Sequence, residues 1–161
     1  MKPYLENYDD VIANSGIRLT PQRRTVYEAL MERRDHPTAL EVFMRAKDRM
    51  PSISLATVYN CLEALTASRL IKHVNFDRAP SRYCPNPVPH GHFFCEECGA
   101  VFDIPLKQPL EETWEVPTHT IVAHTEITLR GICARCVEKG DSTVSISSLD
   151  RPFSKLSPHP S

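Results

Sequence analysis

The stretch 54-SLATVYNCLEALTASRLIKHVNFDRAPSRYC-84 decides how the first half of the chain is read. Ser54 is placed to cap a helix over 54–68, because its hydroxyl can accept from the unpaired N–H groups of the first turn. Leu55, Val58, Leu62 and Leu65 then recur at helical spacing on one side. Two short β-prone runs follow, LIKHVNF (70–76) and SRYC (81–84), joined by the polar turn Asp77-Arg78-Ala79-Pro80. Upstream, residues 4–14 form a short amphipathic pattern ended by Ser15-Gly16. In LTPQRRTVYEALMERR (19–34), Thr20 is an expected N-cap, Pro21 the first helical residue, and Val26, Tyr27 and Leu30 the apolar stripe. In HPTALEVFMRAKDRM (36–50), Thr38 and Glu41 have capping-box spacing, Leu40, Phe43, Met44 and Ala46 are expected to point inward, and Pro51 stops the helix. Short helices followed by a hairpin are the order of a winged helix-turn-helix.

The second half has a different composition. Residues 1–84 hold 13 Lys and Arg against 10 Asp and Glu, whereas residues 85–161 hold 6 against 10. A basic first half and an acidic second half point to two units with different partners. Between them, 85-PNPVP-89 has three prolines in five positions and reads as a stiff hinge. Strands are expected at HFFC (92–95) and AVFDI (100–104), a short helix near PLEETW (109–114), and a strand in TIVAHTEITLR (120–130) with Ile121, Ala123, Thr125, Ile127 and Leu129 on one face. Residues 141–161 hold seven serines and three prolines and read as a disordered tail. The expected fold class is α+β: a winged-helix unit over 1–84, the hinge, and a small α/β unit over 90–140.

No apolar run approaches the roughly 18 residues of a membrane span, and the acidic, polar start MKPYLENYDD is unlike a signal peptide. The expected location is the cytoplasm, where six cysteines serve as ligands or thiols rather than disulfides. Cys95-x-x-Cys98 and Cys133-x-x-Cys136 are paired knuckles. Four thiolates make a closed tetrahedral zinc site, and Gly99 suits the tight turn after the first pair. The other reading of such pairs, a redox dithiol, wants a thioredoxin-like βαβ unit, and none surrounds them. His90, His92 and Asp103 remain, with Cys84 before the hinge and His36 before a helix. An extended segment puts His90 and His92 on one face. Taken singly, His36 also suits a residue leading into a helix, Cys84 a small buried hydrophobe and Asp103 a surface acid. Zinc deaminase chemistry is excluded by His92 where a catalytic Glu would stand and by the missing Pro before Cys95. A phosphate-binding glycine loop and a Ser-His-Asp set are equally missing from the pattern, so the sequence does not read as an enzyme.

Together LTPQRRTVYEAL, SLATVYNCLEAL, HGHFFCEECG and RGICARC resemble the ferric uptake regulator family, over about residues 15–138. The resemblance implies a homodimeric, metal-dependent repressor that binds double-stranded DNA at a two-fold symmetric operator. It implies a sensory metal between the two units on His36, Cys84, His90 and His92, with Asp103 as a further candidate. A cysteine at position 84 is similar to the zinc uptake regulators, since thiolate with imidazole suits zinc; iron and manganese sensors carry a carboxylate there. The expected metals are therefore structural zinc and regulatory zinc, with Fe2+ or Mn2+ as the alternative for the second. A further site in some members uses His and Asp beside the two histidines; here those neighbours are Pro89 and Gly91, leaving Glu111 and His124 as additional candidates. The helix from Ser54 is the expected major-groove reader, through Ser54, Ala56, Thr57, Tyr59 and Asn60, with Arg23, Arg24 and Arg78 as phosphate contacts. Cys61 is expected to pack. Three functions are set side by side: a zinc-responsive repressor of zinc-uptake genes, an iron- or peroxide-responsive repressor, and a zinc-stabilised redox protein acting through Cys61 or Cys84.

Overall fold

The computed structural model of the protein describes residues 7–140. The expected tail over 141–161 and the first residues of the 4–14 pattern lie outside them. Four helices come first: α1 (Tyr8–Asn14), α2 (Pro21–Glu32), α3 (Ala39–Arg49) and α4 (Leu55–Ala67). Each begins where a side chain satisfies the first free N–H groups. Asn7 accepts from the Asp9 N–H, Thr20 from Arg23 and Ser54 from Thr57. Thr38 and Glu41 close a reciprocal capping box, with Thr38 N–H donating to Glu41 at 2.7 Å.

The helices enclose one core of Ile12, Val26, Tyr27, Leu30, Val42, Ala46, Val58, Cys61, Leu62 and Leu65. Helix α3 corrects the expected inward face. Leu40 and Met44 are 57% and 59% exposed, whereas Ala39, Val42 and Ala46 are buried. The buried set keeps helical spacing from Ala39 through Val42 to Ala46, with Phe43 partly buried against the core. Small residues at 39 and 46 leave room for α3 to pack against α2 and α4. Ala46 and Phe43 thus turn inward as expected, and Leu40 and Met44 do not. Leu55 also stands at the open end of its helix, 37% exposed.

The hairpin of β1 (Lys72–Val74) and β2 (Arg82–Cys84) follows, antiparallel, with Lys72 opposite Cys84. It completes the winged helix. Residues 85–89 run without regular structure into β3 (His90–Cys95), β4 (Val101–Pro105), β5 (Thr128–Gly131) and the short α5 (Ala134–Glu138). The sheet order is β4-β3-β5, with β3 antiparallel to β4 and parallel to β5. The expected helix at 109–114 is a single 3-10 turn, Leu110–Glu112. The expected strand over 120–130 forms only at Thr128–Gly131. Ile121 is 93% exposed. Alternation marks a surface able to pair, but a strand also needs a hydrogen-bonding neighbour, and within one chain only the last residues find one on β3. Among the described residues, no helix is long and apolar enough to cross a membrane.

The register found for α3 and α4 makes a stability prediction. Leu62→Ala should cost about 2–5 kcal/mol in denaturant unfolding of the metal-loaded protein, because Leu62 is fully buried. Leu40→Ala should stay within about 0.5 kcal/mol. A comparable loss for both would mean that α3 presents the other face to the core.

Candidate metal centres

Pleating sends alternate residues of β3 to opposite faces. His90, His92 and Phe94 share the face toward the winged helix, where Phe94 stacks on Phe76 with ring centroids 4.7 Å apart. Phe93 and Cys95 share the other face and pack in the cysteine cluster.

The first donor set lies between the hairpin and the sheet. His36 comes from the loop between α2 and α3, Cys84 from the end of β2, His90 and His92 from β3, and Asp103 from β4, directly opposite His92 in the antiparallel ladder. One ligand atom from each of these five residues lies within 4.8 Å of all the others. His36 Nε2 is 2.7 Å from Asp103 Oδ1, and His90 Nε2 is 3.0 Å from His92 Nε2 and 3.4 Å from Cys84 Sγ. Ligand atoms around a tetrahedral zinc are about 3.3–3.8 Å apart, given bond lengths of about 2.0–2.3 Å. The 3.4 Å separation falls within that range and the 2.7 and 3.0 Å separations lie below it, so the donor types suit zinc and the two closest pairs would have to move apart around one. His36, Cys84 and His92 are almost wholly buried.

Neighbouring groups aim these donors. His90 Nδ1 lies 2.5 Å from the Val88 carbonyl, so Nδ1 carries the proton and the Nε2 lone pair faces the other donors. Asn86 donates to Asp103 Oδ2 at 2.6 Å, which leaves Oδ1 turned toward the histidines. Burial, with His90 and His36 nearby, pushes His92 down to about 4, so it is neutral at pH 7. Burial pushes the Cys84 thiol up to about 11. For Asp103, burial works upward, but the Asn86 hydrogen bond and the neighbouring His90 and His36 outweigh it and hold the carboxyl below its usual range. These environments favour a neutral His92, a protonated thiol and one carboxylate.

The second set is Cys95, Cys98, Cys133 and Cys136, again mutually within 4.8 Å. The parallel pairing of β3 with β5, Cys95 opposite Gly131, brings the two knuckles together across 34 intervening residues. Gly99 turns the first knuckle with φ 69°. Cys98 Sγ is 3.8 Å from Cys133 Sγ, and the Cys133 N–H donates to Cys95 Sγ at 3.3 Å. Burial works against a Cys95 thiolate, yet N–H groups of Cys98, Cys133 and Glu97 outweigh it and bring the thiol down to about 6. Burial and its sulfur neighbours push Cys136 up to about 12. All six cysteines are free of disulfides. The cluster has the composition of a closed structural zinc site.

The remaining candidates are dispersed. Glu111 sits on the 3-10 turn, and His124 lines a cavity of about 520 Å3 beside His90 and His92; neither belongs to a donor set. Ser54, Ala56, Tyr59 and Asn60 are exposed at the start of α4, and Thr57 is half-buried. Arg78 is exposed in the hairpin turn. Arg23 donates to the Arg18 carbonyl at 2.6 Å, and Arg24 is held by Asp9 at 3.2 Å and Glu28 at 3.0 Å. Sequence reasoning missed Asn86, whose only signal was a polar residue set between prolines beside the candidate ligands.

Comparison with known proteins gives a consistent answer. The model of the ferric uptake regulator family matches residues 14–130. The chain is 32% identical over 133 residues to the peroxide-responsive repressor PerR of Staphylococcus epidermidis, covering 81% of this chain and 88% of the relative. It is 32% identical over 133 residues to the peroxide operon regulator of Bacillus subtilis, covering 81% and 91%. Among solved structures, the Campylobacter jejuni peroxide stress regulator superposes with a TM-score of 0.61 at 26% identity, covering 83% of this chain and 98% of that one. A zinc uptake regulator complexed with zinc and DNA shares the fold with a TM-score of 0.61 at 23% identity, covering 84% and 93%. The chain belongs to the ferric uptake regulator family and is a metal-responsive, DNA-binding repressor rather than an enzyme.

Proposed function

We propose that the protein is a zinc-responsive repressor of zinc-uptake genes, acting as a cytoplasmic homodimer on a two-fold symmetric operator. The observation that carries this reading is the Cys84 thiol inside a cluster of three imidazoles. Sulfur with imidazole is a borderline-soft donor set that favours zinc over iron or manganese. In this reading a sensory zinc is held by His36, Cys84, His90 and His92, with Asp103 as a further ligand or as the group orienting His36. A structural zinc is held by Cys95, Cys98, Cys133 and Cys136. The division into a DNA-binding unit over 1–84, a hinge over 85–89 and a dimerisation unit over 90–140 belongs to the same proposal.

The sensory donors come from both sides of the hinge, so a metal on them favours the arrangement in which the sides are close. That arrangement would set the spacing of the two α4 helices in a dimer, which has to match successive major grooves. Ser54, Ala56, Thr57, Tyr59 and Asn60 are the base-reading candidates. Arg78 and Arg23 are the freer phosphate contacts, Arg24 being engaged by two carboxylates. The exposed Ile121 and Val122, in the segment that leads into the edge strand β5, and Phe102, on the opposite edge strand β4, supply apolar surface for a second copy.

A second reading, an iron- or peroxide-responsive repressor using Fe2+ or Mn2+, is favoured by the 32% identity to peroxide-responsive relatives. Asp103 in the same cluster supplies the hard oxygen such metals prefer. The redox-thiol reading fares worse. Burial pushes both Cys61 and Cys84 up, against thiolate formation.

Cys84→Asp separates the first two readings. With Cys84 held near 11, zinc binding at pH 7 must displace a thiol proton. Calorimetry in buffers of different ionisation enthalpy should register about one proton fewer per sensory zinc in Cys84→Asp, and DNA binding should need more free zinc. Equal proton release with an unshifted zinc midpoint would remove Cys84 from the ligand set and put the iron or peroxide reading ahead.

Tyr59→Phe and Asn60→Ala should each weaken operator binding, by about 1–3 kcal/mol for a lost base contact, with zinc content unchanged. Parent-like affinity in both would show that α4 does not read the operator through these residues. Cys136→Ser should release the structural zinc and unfold or dissociate the second unit, since such sites supply on the order of 10 kcal/mol of folding free energy. A dimeric variant with one zinc fewer and an unchanged melting temperature would contradict the structural role.

A further inference from the structure

His36 sits in a backbone conformation that side chains other than glycine rarely adopt. Its φ is 55°, in the left-handed region. The neighbouring strand holds the loop there. Arg82 Nη1 donates to the His36 carbonyl at 2.9 Å, and the Tyr83 N–H donates to the Pro37 carbonyl at 3.0 Å. Thr38 pairs with Arg82 in an isolated β-bridge. The other arm of the same guanidinium reaches the sheet, where Nη2 lies 3.5 Å from the Gly99 carbonyl. Gly99 closes the Cys95–Cys98 knuckle, its N–H donating to the Cys95 carbonyl at 2.9 Å. Glu41 stands 3.8 Å from Nη1. Arg82 Nε is buried with no hydrogen-bond partner among the described residues, so the Nη contacts set where the group sits.

We propose that Arg82 is a positioning residue that couples the four-cysteine knuckle to the inter-unit donor set by holding the His36 and Gly99 carbonyls on one guanidinium. The proposal rests on the reading of that donor set as a metal site. Arginine suits the task because its planar fork presents N–H groups in fixed directions, whereas a lysine ammonium is a single point donor. A knuckle that loosens withdraws the Gly99 carbonyl from Nη2, and the strained His36 loop loses part of its support. Occupancy at the cysteines then raises affinity at the histidines without sharing a ligand with them.

The test uses the full-length protein and measures zinc per chain, second-site affinity by competition with a zinc-buffering chelator, and DNA binding against free zinc. Arg82→Lys and Arg82→Met should keep the four-cysteine zinc and bind the second zinc about 10-fold more weakly, at the low end of losses from removing an outer-shell partner. The lysine variant should lose less. In a His36→Ala background, Arg82→Lys should have no further effect on second-site affinity, because it acts through His36. If Arg82→Met does not fold, the lysine variant and its double with His36→Ala carry the test. An unshifted second-site affinity in folded Arg82→Lys, or losses that simply add in the double variant, overturns the proposal. A parent protein that binds a single zinc overturns the metal-site reading beneath it, and the role of Arg82 falls with it; two zincs in the parent with an unshifted variant overturn the role of Arg82 alone.

Discussion

Strand β3 is hydrogen-bonded along both edges, and the two ladders set everything around it. The antiparallel ladder with β4 puts His92 opposite Asp103, and the parallel ladder with β5 puts Cys95 opposite Gly131. The pleat separates the two chemistries. His90, His92 and Phe94 face the winged helix, while Phe93 and Cys95 face the cysteine cluster. A slip of one residue would exchange those faces and dismantle both donor sets at once. Close approach at Gly91 helps exclude such a slip. A Cβ there would lie 3.1 Å from the Ile127 side chain, beside the His92 N–H bond to the Ile127 carbonyl at 2.8 Å.

The electrostatics of the cluster of His36, Cys84, His90, His92 and Asp103 follow from its burial. Removing imidazoles from water disfavours their charged forms, and removing a thiol from water disfavours thiolate. His92 at about 4 and Cys84 at about 11 are two expressions of that cost. Asp103 escapes it because Asn86 and the histidines stabilise its carboxylate. A divalent cation reverses the balance, favouring the thiolate and the neutral imidazole lone pairs together. The cluster is therefore poorly solvated without a metal and well matched with one. The mixture of one sulfur and one carboxylate leaves metal preference to the sulfur's participation.

Local chemistry was the legible part of the sequence. Thr20, Thr38 and Ser54 cap the helices expected of them, because capping is decided within four residues. The cysteine pairs were equally plain, since ligand type and spacing are local. Position 103 was readable only as a candidate: its opposition to His92 depends on a strand register, and no signal within AVFDI reports its partner. The inward face of α3 was misread in part: Ala46 and Phe43 turn to the core as expected, but Leu40 and Met44 outweigh Ala39 in hydrophobicity, while helix packing rewards close approach. Alternation over 121–129 was real, yet pairing depends on a neighbour that one chain offers only from Thr128. Arg82 bears no mark in the sequence and Asn86 only its place between prolines, because positioning through carbonyls and carboxylate oxygens leaves no spacing pattern.

In the proposed function one metal binds between the winged helix and the sheet with the Cys84 sulfur among its ligands. X-ray absorption at the cobalt edge tests it directly, on protein carrying zinc at the four cysteines and cobalt(II) at the second site. The expected cobalt shell is a single sulfur with nitrogen and oxygen donors. A shell with no sulfur would contradict it, and so would a shell of sulfur alone.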